Sequence, residues 1–119
     1  MAFVLSKSPR TLKNWPVSVP VAGDSGNVSL CEIGLDLVLL PQGDIDARIA
    51  SAKIDGSADV DAQLLANVVT GWSGVVDDSG APVPFGTDSL AQLIGQQNAR
   101  GAIISAYFDA LAGKAAAKN

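Results

Sequence analysis

An α+β fold, with an N-terminal antiparallel β-hairpin followed by about four helices, is predicted by three features of the sequence. Apolar residues alternate with polar residues and prolines through 15–21 and 28–39, the period of a strand. From residue 45 onward the apolar residues recur at helical spacing. The change of period falls at Pro41. At 119 residues the chain has the length of one domain. It divides into an arm (1–14), a hairpin (15–40), a helical part (41–113) and a polar tail (114–119).

The first strand carries Trp15, Val17, Val19 and Val21 on one face, with Pro16, Ser18 and Pro20 between them. Proline cannot donate to a ladder, so this strand belongs at a sheet edge. A turn over 22–27 leads to the second strand, with Cys31, Ile33, Leu35, Leu37 and Leu39 on one face. Asp44 is placed to cap a helix over 45–53, in which Ile45, Ile49 and Ala52 share a face. Asp55-Gly56-Ser57 breaks it. Asp59 is the expected cap of a central helix bearing Val60, Leu64, Leu65, Val68 and Trp72, which Gly71 and Gly74 end. Residues 75–85 read as a turn-type loop or small hairpin around Asp77-Asp78-Ser79-Gly80. Thr87 is expected to cap a short helix with Leu90, Leu93 and Ile94. Asn98 is expected to cap the last, striped by Ile103, Ile104, Tyr107, Phe108 and Leu111 and ended by Gly113.

Composition excludes several kinds of function. Net charge is −4 and the pI about 4.4. Nucleic-acid binding needs clustered Lys and Arg to neutralise phosphates. The one basic cluster, Lys7, Arg10 and Lys13, reads as a solvated arm. No apolar run has the length of a membrane span, and residues 1–5 are too short for the apolar core of a secretory signal.

There is no histidine, which removes the commonest general base and most transition-metal sites. Cys31 has no partner to make it a thiolate and reads as a small core residue. The acidic groups Asp55/Asp59/Asp61 and Asp77/Asp78 lack the ligand loop that calcium requires and read as a helix cap and a polar turn. No cofactor, no metal and no enzymatic activity are expected. Hydrophobic residues make up 48% of the chain and mean hydropathy is +0.29. That is high for so small a domain and points to apolar surface covered by another chain, by self-association or by a partner.

The stretch Val69-Thr70-Gly71-Trp72-Ser73-Gly74-Val75-Val76-Asp77-Asp78, followed by Pro82-Val83-Pro84-Phe85, resembles a motif of the tail assembly chaperones of long-tailed bacteriophages. Within it Gly71, Trp72, Gly74, Pro84 and Phe85 carry the likeness. Ala106-Tyr107-Phe108-Asp109-Ala110-Leu111-Ala112-Gly113 is similar to the family's closing helix. Phe3-Val4-Leu5-Ser6 and Leu40-Pro41-Gln42 also fit. The resemblance implies a non-enzymatic role in the host cytoplasm: keeping the tape measure protein soluble, helping to recruit tail tube protein, and absence from the mature virion. It also implies a short form and a frameshift-extended form, of which this chain is the short one. Ala117-Lys118-Asn119 can be encoded as GCA AAA AAC, which contains the slippery heptamer A AAA AAC.

A partner surface is expected at Tyr107, Phe108 and Leu111, the alternative being that Tyr107 and Phe108 are simply core; Trp72 is expected in the core. The alternative is a structural tail or connector protein retained in the virion. A binding module of unrelated origin and a small enzyme are the further rivals.

Overall fold

The computed structural model describes residues 2, 3, 5, 8–54 and 60–115, with the side chains of 51–54 and 60 left aside. The expectations for Val4, Ser6, Lys7, Asp55-Gly56-Ser57, Asp59, the faces of Ala52 and Val60, and Ala117-Lys118-Asn119 lie outside the described residues.

The fold is α+β. Strand β1 (Arg10–Ala22) and strand β2 (Val28–Leu39) form the hairpin, joined by a 3-10 turn at Asp24–Gly26. Helix α1 (Gln42–Ile54) and helix α2 (Val60–Val68) follow. Strand β3 (Val69–Ser73) then precedes helix α3 (Thr87–Ile94) and helix α4 (Gln97–Leu111). The antiparallel sheet has the order β1-β2-β3, so proline-bearing β1 is at an edge as expected.

The alternation places the core. Val17, Val19, Ile33, Leu35, Leu37 and Val69 turn one face of the sheet toward the helices. Leu64, Leu65 and Val68 of α2, Leu90 and Ile94 of α3, and Ile103 and Tyr107 of α4 close over it. Among the described side chains of α1, Ile45 is buried and Ile49 half-buried.

Strand β1 begins at Arg10 rather than 15, so Arg10 and Lys13 belong to a strand and not to an arm. A bulge hides this from the alternation. Leu12 pairs with Leu37 and Trp15 with Leu35, three steps on β1 against two on β2. The extra residue keeps both side chains on the core face. Asn14 takes up the irregularity with φ 52°. Its N–H donates to Asp36 Oδ1 at 3.0 Å, and Ser73 Oγ donates to its Oδ1 at 2.9 Å.

The larger correction concerns Trp72. The central helix ends at Val68, and Trp72 lies on β3, opposite Leu35. Two causes favour a strand here. The backbone of residues 34–37 has β1 on one side only, and its outward N–H and C=O groups need partners. Val68, Val69 and Thr70 are β-branched, which suits a pleated surface. The helical spacing had a different origin. Gly71 pairs with Asp36 and Val69 with Leu37, so a second bulge at Thr70 places Val69 and Trp72 on one face three residues apart.

Helix starts shift by small steps. Asp44 lies in the first turn of α1 rather than at its cap; its N–H and that of Ile45 donate to Pro41 O at 3.0 and 3.2 Å. A carboxylate there still faces the positive end of the helix dipole. Gly86 caps α3, with Thr87 its first helical residue. Gln96 caps α4, and Asn98 instead donates Nδ2–H to Pro20 O at 2.8 Å, tying the helix to β1. Gly113 ends α4 as predicted. With φ 77° it lets Gly113 N–H reach Ala110 O and Lys114 N–H reach Asp109 O, the paired bonds of a Schellman turn.

Cys31 is exposed, not core. It is on the core-facing side of β2 opposite Val19, which is buried, so the cover over β1 at this level does not extend across to β2. Val21 is exposed because it lies past Pro20, beside which α4 begins.

Candidate functional site: an apolar groove between α2 and α3

Helix α2 packs on β2 and β3, α3 packs against α2 and α4, and an open groove of about 670 Å³ lies between α2 and α3. Its walls owe their depth to small residues. Ala62 and Ala66 are four apart on α2, and Ala91 and Gly95 are four apart along α3 and its cap. Residues four apart share a helix face, so each wall presents a short stripe without bulk. Val69, Leu90 and Ile94 supply apolar floor, and Phe85 flanks the mouth. Arg100 lies at one end, where its Nε–H donates to Ile94 O at 2.9 Å. That cation also meets the negative end of α3's dipole.

The Trp72–Phe85 unit fixes the Phe85 side. Trp72 is half-buried, and its Nε1–H donates to Val83 O at 2.8 Å. The Phe85 ring meets the Trp72 ring edge-on, with centroids 5.1 Å apart and planes at 86°. Phe85 remains 38% exposed. The intervening loop is held by the bridge Val76↔Pro82 and by Val83 N–H to Val75 O at 2.9 Å. Asp77 Oδ1 accepts from Ser79 Oγ, Ser79 N and Ala81 N at 2.7, 2.9 and 3.0 Å. These bonds, the Ser79 hydroxyl first, hold its carboxyl below the ordinary range despite its exposure. The turn is therefore braced at neutral pH and loses that brace in strong acid.

The motif residues thus divide between roles. Gly74 has φ 82°, and a Cβ there would lie 3.2 Å from Glu32 O. At Gly71 a Cβ would come within 2.7 Å of Asp36 Oδ2. Pro84 is exposed and its carbonyl accepts from Ser89 Oγ at 2.9 Å. Only Phe85 of these residues lines the groove. Truncating Trp72 to Ala is expected to cost about 2–3 kcal/mol, short of the ~3–5 typical of a fully buried aromatic, because Trp72 is only partly buried. A melting temperature equal to wild type would contradict this.

The surface expected at Tyr107, Phe108 and Leu111 is corrected in part. Tyr107 has no exposed area, Leu111 is half-buried, and Phe108 is 40% exposed. Tyr107 is a fastener: its hydroxyl donates to Val38 O at 2.8 Å and accepts from Leu40 N–H at 3.1 Å. Phe108 packs edge-on against it at 5.8 Å and does not line the groove. The small-residue walls were missed in the sequence, although the spacings 62/66 and 91/95 were there to find. Among the described residues, no three His, Cys, Asp or Glu side chains lie together as a metal site. No helix among them is long and apolar enough to cross a membrane. Compared with family models, curated proteins and solved structures, the chain matches none.

Proposed function

We propose that the chain is a non-enzymatic tail assembly chaperone of a long-tailed bacteriophage. It holds apolar helical stretches of the tape measure protein in solution until tail tube subunits cover them. The observation that carries this reading is the α2–α3 groove: open, apolar, and walled by small residues that let another backbone approach closely. A tape measure protein is long and helical, so it presents apolar stripes of matching form before the tube encloses it. The likeness at 69–85 and 106–113 and the lack of histidine support the same reading.

In this role the chain acts in the host cytoplasm and leaves before the virion is complete. Phe85 and the exposed Phe108 add adaptable aromatic contacts at two places. The test is co-purification. Tagged chain is expected to draw the tape measure protein from infected cells, and purified particles are expected to lack the chain. Recovery of the chain in particles at a fixed stoichiometry would instead support a structural tail or connector protein.

A further inference from the structure

Strand β2 is longer than the strand that covers its far side. Residues 28–39 pair with β1, whereas β3 reaches only residues 34–37. Residues 28–32 are all exposed and have a strand on one side only. At Gly74 the chain turns away with φ 82°, and the missing Cβ keeps Glu32 O uncrowded.

The direction of the backbone groups follows from three observations. Asp36 O accepts from Thr70 Oγ1 at 3.4 Å, and Glu32 O lies beside Gly74, so even-numbered carbonyls of β2 point toward the β3 side. Pro20 stands opposite Leu30, and Pro16 opposite Gly34. Proline has no N–H to exchange, so these are the pairs whose groups point outward. Val28, Leu30 and Glu32 therefore direct their N–H and C=O at the open edge.

Natural sheets blunt such edges with Lys, Pro, a bulge or a cover. The outer edge of β1 is treated this way, by Pro16, Pro20 and the Asn98 bond to Pro20 O. Residues 28–32 contain no proline and no lysine, Glu32 at one end is their single charge, and Val28 and Leu30 are 63% and 52% exposed on the face turned away from the helices.

We infer that this edge pairs with the same edge of a second copy of the chain, antiparallel, about a two-fold axis through Leu30. The register argues for a second copy. The open stretch is centred on Leu30, a residue whose own groups face the edge. A two-fold there sets Leu30 against Leu30 of the other copy and Val28 against its Glu32. Every outward N–H and C=O of the three residues then has a partner. The outer faces bring leucine to leucine, with no like charges opposed. A two-fold through Cys31 would set Val28 against Gly34, which already pairs with Ser73, and would leave groups unmatched.

A junction of this length is small, so the dimer is expected to be weak and concentration-dependent. It requires neither the groove nor a tape measure protein, and it is tested on the chain alone. In sedimentation velocity up to about 100 µM, wild type is expected to pass from monomer to dimer. Leu30→Lys sets two cations against each other and is expected to remain monomeric with an unchanged melting temperature. Ser29→Cys supplies a positive signal. In this register Ser29 faces Cys31 of the other copy in a non-hydrogen-bonded pair, with Cα atoms about 4.5 Å apart, within disulfide reach. Under a glutathione redox buffer it is expected to form a covalent dimer. A monomeric wild type, a Leu30→Lys variant that associates as wild type does, or a Ser29→Cys variant that does not cross-link would each overturn the inference.

Discussion

Replacing Tyr107 with Ala is expected to destabilise the protein by about 3–5 kcal/mol, the range for a fully buried aromatic. Domains of this size have roughly 5–15 kcal/mol in total, so the variant is expected to be largely unfolded when warm. Two effects combine at this residue. The ring is buried beneath α4, and the hydroxyl bonds both Val38 O and Leu40 N at the end of β2. Tyr107→Phe separates them. It keeps the ring and leaves two backbone groups without their partner, at about 1–3 kcal/mol. Burial also raises the hydroxyl's pKa above its ordinary value of 10.0, against the opposing effects of the Leu40 bond and Arg48. The folded state therefore favours the protonated hydroxyl. This stability is present below pH about 10 and is lost as pH rises through the folded-state value. Tyr107 is the sole tyrosine, so tyrosinate absorbance reports it alone. Ionisation near the ordinary value without unfolding would contradict the fastener role.

Leu35→Ala is expected to cost about 2–5 kcal/mol. Leu35 lies at the middle of the central strand, between Trp15 of β1 and Trp72 of β3, and has no exposed area. Two indoles fixed in a sheet cannot close over the space, which places the cost in the upper part of that range. Chemical denaturation reads it as a lower midpoint with an unchanged slope. A loss below about 1 kcal/mol would mean that the tryptophans move freely.

The hairpin was legible because its buried stretches keep a strict period of two: Val17 and Val19 against Ile33, Leu35 and Leu37. The errors fall where bulges break that period. At Asn14 a bulge hid the beginning of β1, and at Thr70 a bulge made a strand imitate helical spacing and drew Trp72 into the wrong element. Local pattern also cannot show how far a neighbouring layer covers a sheet: Val19 is buried, while its partner Cys31, on the same face, is exposed.

On α4 the buried residues are Ala99, Ile103, Tyr107 and Ala110, a stripe at steps of four and three. Angular position put Tyr107 inward and Phe108 outward, whereas apolarity alone favoured the reverse. The groove was the least legible feature. Alanine is the best helix former and signals no surface by itself, so Ala62, Ala66 and Ala91 became meaningful only once two helices faced each other.

In the proposed role, the α2–α3 groove shields apolar helix on the tape measure protein. Its most direct test is the soluble fraction of that protein in cells expressing it alone, with wild type, or with Ala91→Arg. Ala91 is exposed on α3 and lines the groove, so the substitution fills the groove without touching the core. A several-fold rise is expected with wild type, and a return to the uncomplexed level with Ala91→Arg. No rise with wild type, or an equal rise with both, would contradict that role.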